Sequence, residues 1–132
     1  MRLLDTTILI DFVRRRDAAR RIVQEAEEAG ERCATTEVNA FELLMGTFSK
    51  GRVRPDRRDE VQRFLRRLDV LPLERTGALR AAEIASRLRA EGRDIGALDA
   101  IIAGIALASG YDTIVTRDES FRRIPGIRVE TY

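Results

Sequence analysis

Four acids occupy positions where the surrounding chain is apolar. Asp5 ends the run MRLLD, Glu42 and Asp99 fall on apolar helical faces, and Asp118 follows the run TIVT. A carboxylate taken out of water without a partner is costly in its charged form and tends to protonate. Two full charges about 5 Å apart, at an effective dielectric near ~20, repel by roughly 3 kcal/mol. Three or four converging carboxylates therefore stay ionised together only around a cation. The chain has no histidine and one cysteine, Cys33, which removes the common zinc sites and the nucleophiles that pair with histidine. Oxygen donors without imidazole or thiolate favour Mg²⁺ or Mn²⁺. Such an ion lowers the pKa of a water and steadies a leaving oxygen, which suits in-line attack on a phosphodiester.

Each acid also has an ordinary structural role open to it. Asp5 could end its strand or cap a helix beginning at Thr7. Asp99 could be a first-turn acid stabilised by the helix dipole, and Asp118 could cap the turn TRDESF. Glu42 has the weakest alternative. Val38, Phe41 and Met45 mark an i, i+3, i+7 stripe, and Glu42 fills its i+4 slot, so its side chain is expected to point inward. Asp99 lies in ALDAIIAGIALASG, which is apolar or small all round and has Ile102, Ala103 and Ala106 on the face of the acid, the pattern of a buried helix. Asp11 either orients the first helix or stands behind the metal ligands. The hydroxyls of Thr6 and Thr116 could hold a water at the metal or satisfy local backbone.

The elements that must position these groups are readable as short apolar runs alternating with helical stripes. Candidate strands are Arg2 to Asp5, Cys33 to Thr36, Val70 to Leu73, Thr113 to Thr116 and Ile127 to Glu130. Stripes at Ala19, Ile22, Val23, Ala26, then Val61, Phe64, Leu65, Leu68, then Ala81, Ile84, Ala85, Leu88 predict helices, with Gly30, Gly92 and Gly110 as C-terminal stops. The alternation predicts a parallel sheet covered on both faces. Functional groups of such sheets gather beyond the carboxyl ends of the strands, where Asp5 and the pair Thr116 and Asp118 fall. Ser49 to Asp59, SKGRVRPDRRD, is expected to be a surface linker between helices.

At 132 residues the chain is expected to form a single domain, 1–132. No apolar stretch approaches the ~20 residues of a membrane span, and the first residues lack a signal-peptide pattern, so a soluble cytoplasmic protein without membrane contact is expected. Net charge is only +2, but arginines cluster at 14–16, 20–21, 52–58 and 63–67. They are either solvated helix faces or a phosphate-binding surface.

LLDTTILID, FELLMG, ALDAIIAGIALASG and IVTRDESFRRIPGIRVETY, in that order along almost the whole chain, resemble a PIN-domain ribonuclease, in particular the VapC toxin of VapBC toxin–antitoxin pairs. The resemblance implies a three-layer α/β/α sandwich around a central, mainly parallel sheet. It implies a Mg²⁺- or Mn²⁺-dependent endoribonuclease of RNA leaving a 5′-phosphate and a 3′-hydroxyl, with its acids on Asp5, Glu42, Asp99 and Asp118. It also implies a homodimer and a cognate antitoxin whose tail occupies the active-site groove. Many members carry a further acid before the final phenylalanine, where this chain has Ser120. TRD replaces the common TRN, so Asp118 is expected to supply that carboxylate. The competing readings are a PIN nuclease of RNA maturation or decay without an antitoxin, a phosphoacceptor module using Asp5, and a non-catalytic RNA- or protein-binding module.

Overall fold

Arg2–Leu4 form β1, whose alternating residues set the layers of the molecule. Leu3 points to one face and Leu4 to the other, each fully buried in a different hydrophobic cluster. The computed structural model describes residues 1–132. After β1 come α1 (Thr6–Val13), α2 (Asp17–Glu28), β2 (Ala34–Thr36), α3 (Glu37–Met45), β3 (Phe48–Ser49), β4 (Arg52–Val53) and α4 (Pro55–Leu65). The chain continues through β5 (Asp69–Leu71), α5 (Arg75–Ala90), α6 (Ala97–Ala108), β6 (Thr113–Val115), a 3₁₀ turn (Glu119–Arg123) and β7 (Arg128–Glu130).

All five expected strands are present and form one sheet in the order β5-β2-β1-β6-β7, with every pairing parallel. One face carries α1 to α4 against Leu4 and Val115. The other carries α5, α6 and the 3₁₀ turn against Leu3 and Ile114. The result is the three-layer α/β/α arrangement. Strand order reverses about β1, so the carboxyl ends of β1, β2 and β6 meet in one crevice, the usual place for a site in an open parallel sheet.

The helical stripes sit where their periodicity puts them: Ala19, Val23 and Ala26 of α2, Val61, Phe64 and Leu65 of α4, and Ala81, Ile84 and Leu88 of α5 are buried. α6 lies unusually close to α5, because a Cβ on Gly104 would come within 2.5 Å of the Gly77 carbonyl oxygen and 2.6 Å of the Ala81 nitrogen. Glycine is what allows that approach. Gly30, Gly92 and Gly110 end α2, α5 and α6 with positive φ, as helix stops of this kind do.

Three expectations need correction. Ser49 to Asp59 is not a plain linker: it contains most of the antiparallel hairpin β3–β4 and the start of α4. Lys50 and Gly51 turn the hairpin with φ of 51° and 74°, and Pro55 begins α4, where a missing N–H is harmless. The stripe Val38, Phe41, Met45 is not the buried face of α3. Phe41 and Met45 are 55% and 57% exposed, and Asn39, Ala40 and Leu43 face inward instead. α6 is not buried all round, since Leu98 is exposed while Ile102, Ala103 and Ala106 are fully covered.

Candidate active site

Asp5 stands where β1 becomes α1. Its amide extends the β1–β6 ladder by donating to the Val115 carbonyl, and its own carbonyl accepts the Leu9 amide of the first helical turn. The switch from strand to helix leaves the side chain at the sheet's carboxyl edge, buried to 4% exposure. It occupies the N-cap position of α1, which begins at Thr6 rather than Thr7, yet makes no capping bond. Its oxygens are engaged elsewhere: Oδ1 accepts from Asn39 Nδ2 at 3.0 Å and Oδ2 from the Thr116 hydroxyl at 2.7 Å. Burial pushes the Asp5 carboxyl above its ordinary range; the Thr116 bond opposes that shift, while the charges of Glu42 and Asp118 add to it.

Glu42 is half-buried at the margin of α3, where the Thr6 hydroxyl donates to its Oε1 at 2.7 Å. Thr6 in turn accepts from Asn39 Nδ2 at 2.9 Å. Asn39 links the two acids and is the residue that sequence reasoning missed. It lies in the first turn of α3, wholly buried, in a reciprocal cap with Thr36, so its amide oxygen is used by Thr36 and its amide nitrogen is left for Asp5 and Thr6. The available signal was its position three residues before Glu42, on the same side of the helix.

Asp99 is in the first turn of α6, half-buried. Its carboxyl is pushed up to about 6, first by burial and then by the charges of Asp118, Asp5 and Glu42. Asp118 caps the 3₁₀ turn by accepting from the Ser120 amide at 2.9 Å. Its own amide donates to the Thr116 hydroxyl at 2.9 Å. The capping role and proximity to Asp99 therefore coexist in one residue. The Thr116 hydroxyl, buried between Asp5 and the Asp118 amide, orients both. No buried side-chain nitrogen or oxygen in the chain lacks a partner.

Asp11 lies away from these acids. It is 3% exposed and accepts from the Tyr132 hydroxyl and from Arg117, each at 2.6 Å. Burial, reinforced by the bond to Asp11, pushes the Tyr132 hydroxyl up to about 12. Arg117 joins Thr116 to Asp118, so Asp11 anchors the segment that carries them.

Asp5, Glu42, Asp99 and Asp118 thus feel one another's charge across the crevice, though no three acids are drawn together as a ready-made metal cage. Uncompensated carboxylates repel, and this donor set is hard oxygen throughout. The family whose profile matches residues 2–127 is described as PIN domain. The chain belongs to the PIN domain family.

Two kinds of relative place this PIN domain more closely. It is 28% identical over 130 residues to the tRNA(fMet)-specific endonuclease VapC of Shigella flexneri, covering 98% of this chain and 96% of that one. Its fold matches VapBC of Salmonella typhimurium, solved bound to DNA, with a TM-score of 0.84 and 28% identity over 98% of this chain and 96% of that one. It also shares its fold with VapBC2 of Rickettsia felis, bound to a DNA fragment from their promoter, at a TM-score of 0.86 and 23% identity over 99% and 98% of the two chains. The PIN domain here is of the VapC type. No helix in it is long and apolar enough to cross a membrane.

Proposed function

We propose that this chain is a divalent-metal-dependent endoribonuclease and the toxin partner of a VapBC-type pair. The observation that carries the reading is the buried Asp5 at the sheet's carboxyl edge, tied through Asn39 and Thr6 to Glu42 and through Thr116 to the Asp118 amide, with Asp99 near enough for the charges of all three to raise its carboxyl, an arrangement that favours a cation. Asp5, Glu42, Asp99 and Asp118 would hold Mg²⁺ or Mn²⁺. The bound ion supplies charge compensation and Lewis acidity for hydrolysis of a phosphodiester. Water oxygen forms the new bond to phosphorus, the bond to the 3′-oxygen breaks, and that oxygen takes up a proton. The products are a 5′-phosphate and a 3′-hydroxyl.

The chain's own residues do the positioning. Asn39 and Thr116 fix the two oxygens of Asp5, and Thr6 fixes Glu42. Outer partners of this kind set ligand orientation in metal sites. The name of the Shigella flexneri relative makes initiator tRNA the first substrate to try, and the solved VapBC relatives support a cognate antitoxin as partner. A homodimer is supported by the wholly apolar groove between α5 and α6, lined by Leu73, 46% exposed, with Ala78, Ala82, Ala97 and Ile101.

The test is cleavage of initiator tRNA and of a mixed RNA pool with Mn²⁺ or with EDTA, comparing the natural chain with Asp5→Asn. Metal-dependent cutting that falls at least about a thousandfold in Asp5→Asn, with cooperative melting retained as proof that the variant is folded, is expected, since the electrostatic part of catalysis is commonly of that size. Undiminished cutting by Asp5→Asn sinks the assignment.

A further inference from the structure

Two adjoining grooves lead away from the acids along α1. One, of about 420 Å³, has Glu42 in its wall together with Arg14, Arg15 and Arg57. The next, of about 580 Å³, is walled by Arg15, Arg20 and Arg63. Val13, Arg15 and Glu60 line both, so they form one furrow with Arg15 at the junction. Arg67, also in the wall, is held by Glu27 and lies over the stacked rings of Phe12 and Phe64. Arg14, Arg15, Arg20, Arg57 and Arg63 are exposed and take part in none of the chain's ion pairs. Glu60 is the acid facing them from α4.

Arg15 carries a second signal. It follows the C-cap of α1 with φ of 60°, a left-handed conformation that crowds an L side chain and suits glycine. At the same position α2, α5 and α6 place Gly30, Gly92 and Gly110. Only its side chain distinguishes the arginine from the residue that the backbone favours. The helix dipole favours a cation near this end, but Arg14 and Arg16 meet that need without the strained φ.

We propose that this furrow carries the phosphate backbone of the RNA away from the cleavage site, with Arg15 as its central contact; the inference rests on the ribonuclease reading above. Guanidinium forks match phosphate oxygens bidentately. The Phe12 and Phe64 rings are already stacked on each other, so the contact is to backbone and independent of sequence. α1 sets Arg15 ten residues beyond Asp5, about 15 Å along the axis, so the contact requires RNA extending several nucleotides past the scissile bond.

Fluorescence anisotropy of a labelled mixed-sequence single-stranded RNA, in EDTA and over a range of KCl, tests this with Arg15→Gly. The expected result is affinity lower on the order of fivefold near physiological salt, and a log K against log [salt] slope reduced by about 0.7. The melting temperature should be unchanged or higher because the backbone relaxes. Cutting in Mn²⁺ should show a higher KM at the same kcat on long RNA and no effect on a dinucleotide. Arg63→Gln should act in the same direction, and Arg89→Gln, an exposed unpaired arginine on α5, should change neither affinity nor slope. Natural affinity and slope in Arg15→Gly overturn the proposal, as does an equal loss in Arg89→Gln. Weakened binding of an acidic protein partner with RNA binding intact assigns the furrow to that partner instead. A natural chain that cuts no RNA in Mn²⁺ defeats the ribonuclease reading alone, because the anisotropy still reports on the furrow.

Discussion

The two ends of α1 solve opposite problems. At its N-terminal end the helix begins beside a buried acid whose oxygens are held by Asn39 and Thr116. At its C-terminal end it runs into Arg14, Arg15 and Arg16, all exposed. The first end uses short side chains with few rotamers, as the proposed catalytic role requires, because groups that act on a reacting centre must already be in place. The second uses long side chains, of which Arg14 and Arg15 are left free of ion pairs while Arg16 reaches Asp11, because a flexible polyanion is caught by reach and charge rather than by fixed geometry. Disturbance of the first end should therefore change rate and stability together, and disturbance of the second should change binding without loss of stability.

The sharpest way to break this contrast is Asn39→Leu. Leucine keeps the branched shape, with bulkier ends, but removes the donor to Asp5 and Thr6 and the acceptor for Thr36. Stranded buried polar groups cost about 1–3 kcal/mol, and loss of an outer partner commonly costs about 10- to 100-fold in activity. Thermal melting and the cleavage rate should fall together. A variant that loses activity with an unchanged melting temperature would show that the amide serves the acids alone and not the framework.

How far the sequence shows this contrast depends on which forces each part uses. The strands were legible from short stretches with apolar residues between helical stripes, most clearly in β1, where Leu3 and Leu4 are buried on opposite faces. The placement of Asp5 and Asp118 at the carboxyl edge of the sheet was legible because each closely follows a strand of the parallel sheet. The place of Glu42 is not what its helical phase predicts: the apolar stripe of Val38, Phe41 and Met45 suggests an inward face, whereas buried Asn39 takes that direction and leaves Phe41 and Met45 outside. Hydrophobic periodicity has no means of placing a polar residue inward when its partner is a carboxylate on another element. The hairpin was hidden for a similar reason. Its strands are two residues each, and its turn places a lysine, not asparagine or glycine, at the first positive φ.

Gly104→Ala probes the acid end at a distance. The added methyl would lie 2.5 Å from the Gly77 carbonyl oxygen and 2.8 Å from the Ala81 Cβ, so α6 must move away from α5. Overpacking of this kind costs about 1–3 kcal/mol, and Asp99 rides on the helix that moves. A lower melting temperature and weaker cutting are expected, with RNA affinity in EDTA unchanged because the arginine furrow lies on the other side of the sheet. Loss of RNA affinity in this variant would mean that the two regions are mechanically coupled.

The smallest effect separates the two ends by pH. The Asp99 carboxyl rises from an ordinary 3.8 to about 6 in the folded chain. Between those values the folded state holds a proton that the unfolded chain has released, so this contribution to stability is fully present below about pH 4 and is lost as pH rises through 6. In EDTA the melting temperature should therefore decline across that window, and Asp99→Asn should flatten the decline. Added Mn²⁺ should raise the melting temperature more at pH 7.5 than at pH 5, because a protonated Asp99 is a poor ligand. Arg15→Gly leaves the acids untouched and should keep the same pH dependence, shifted bodily if at all. A variant furrow that altered the shape of the curve would show the arginines already compensating the acids in the absence of metal, and the division between the two ends of α1 would then fail.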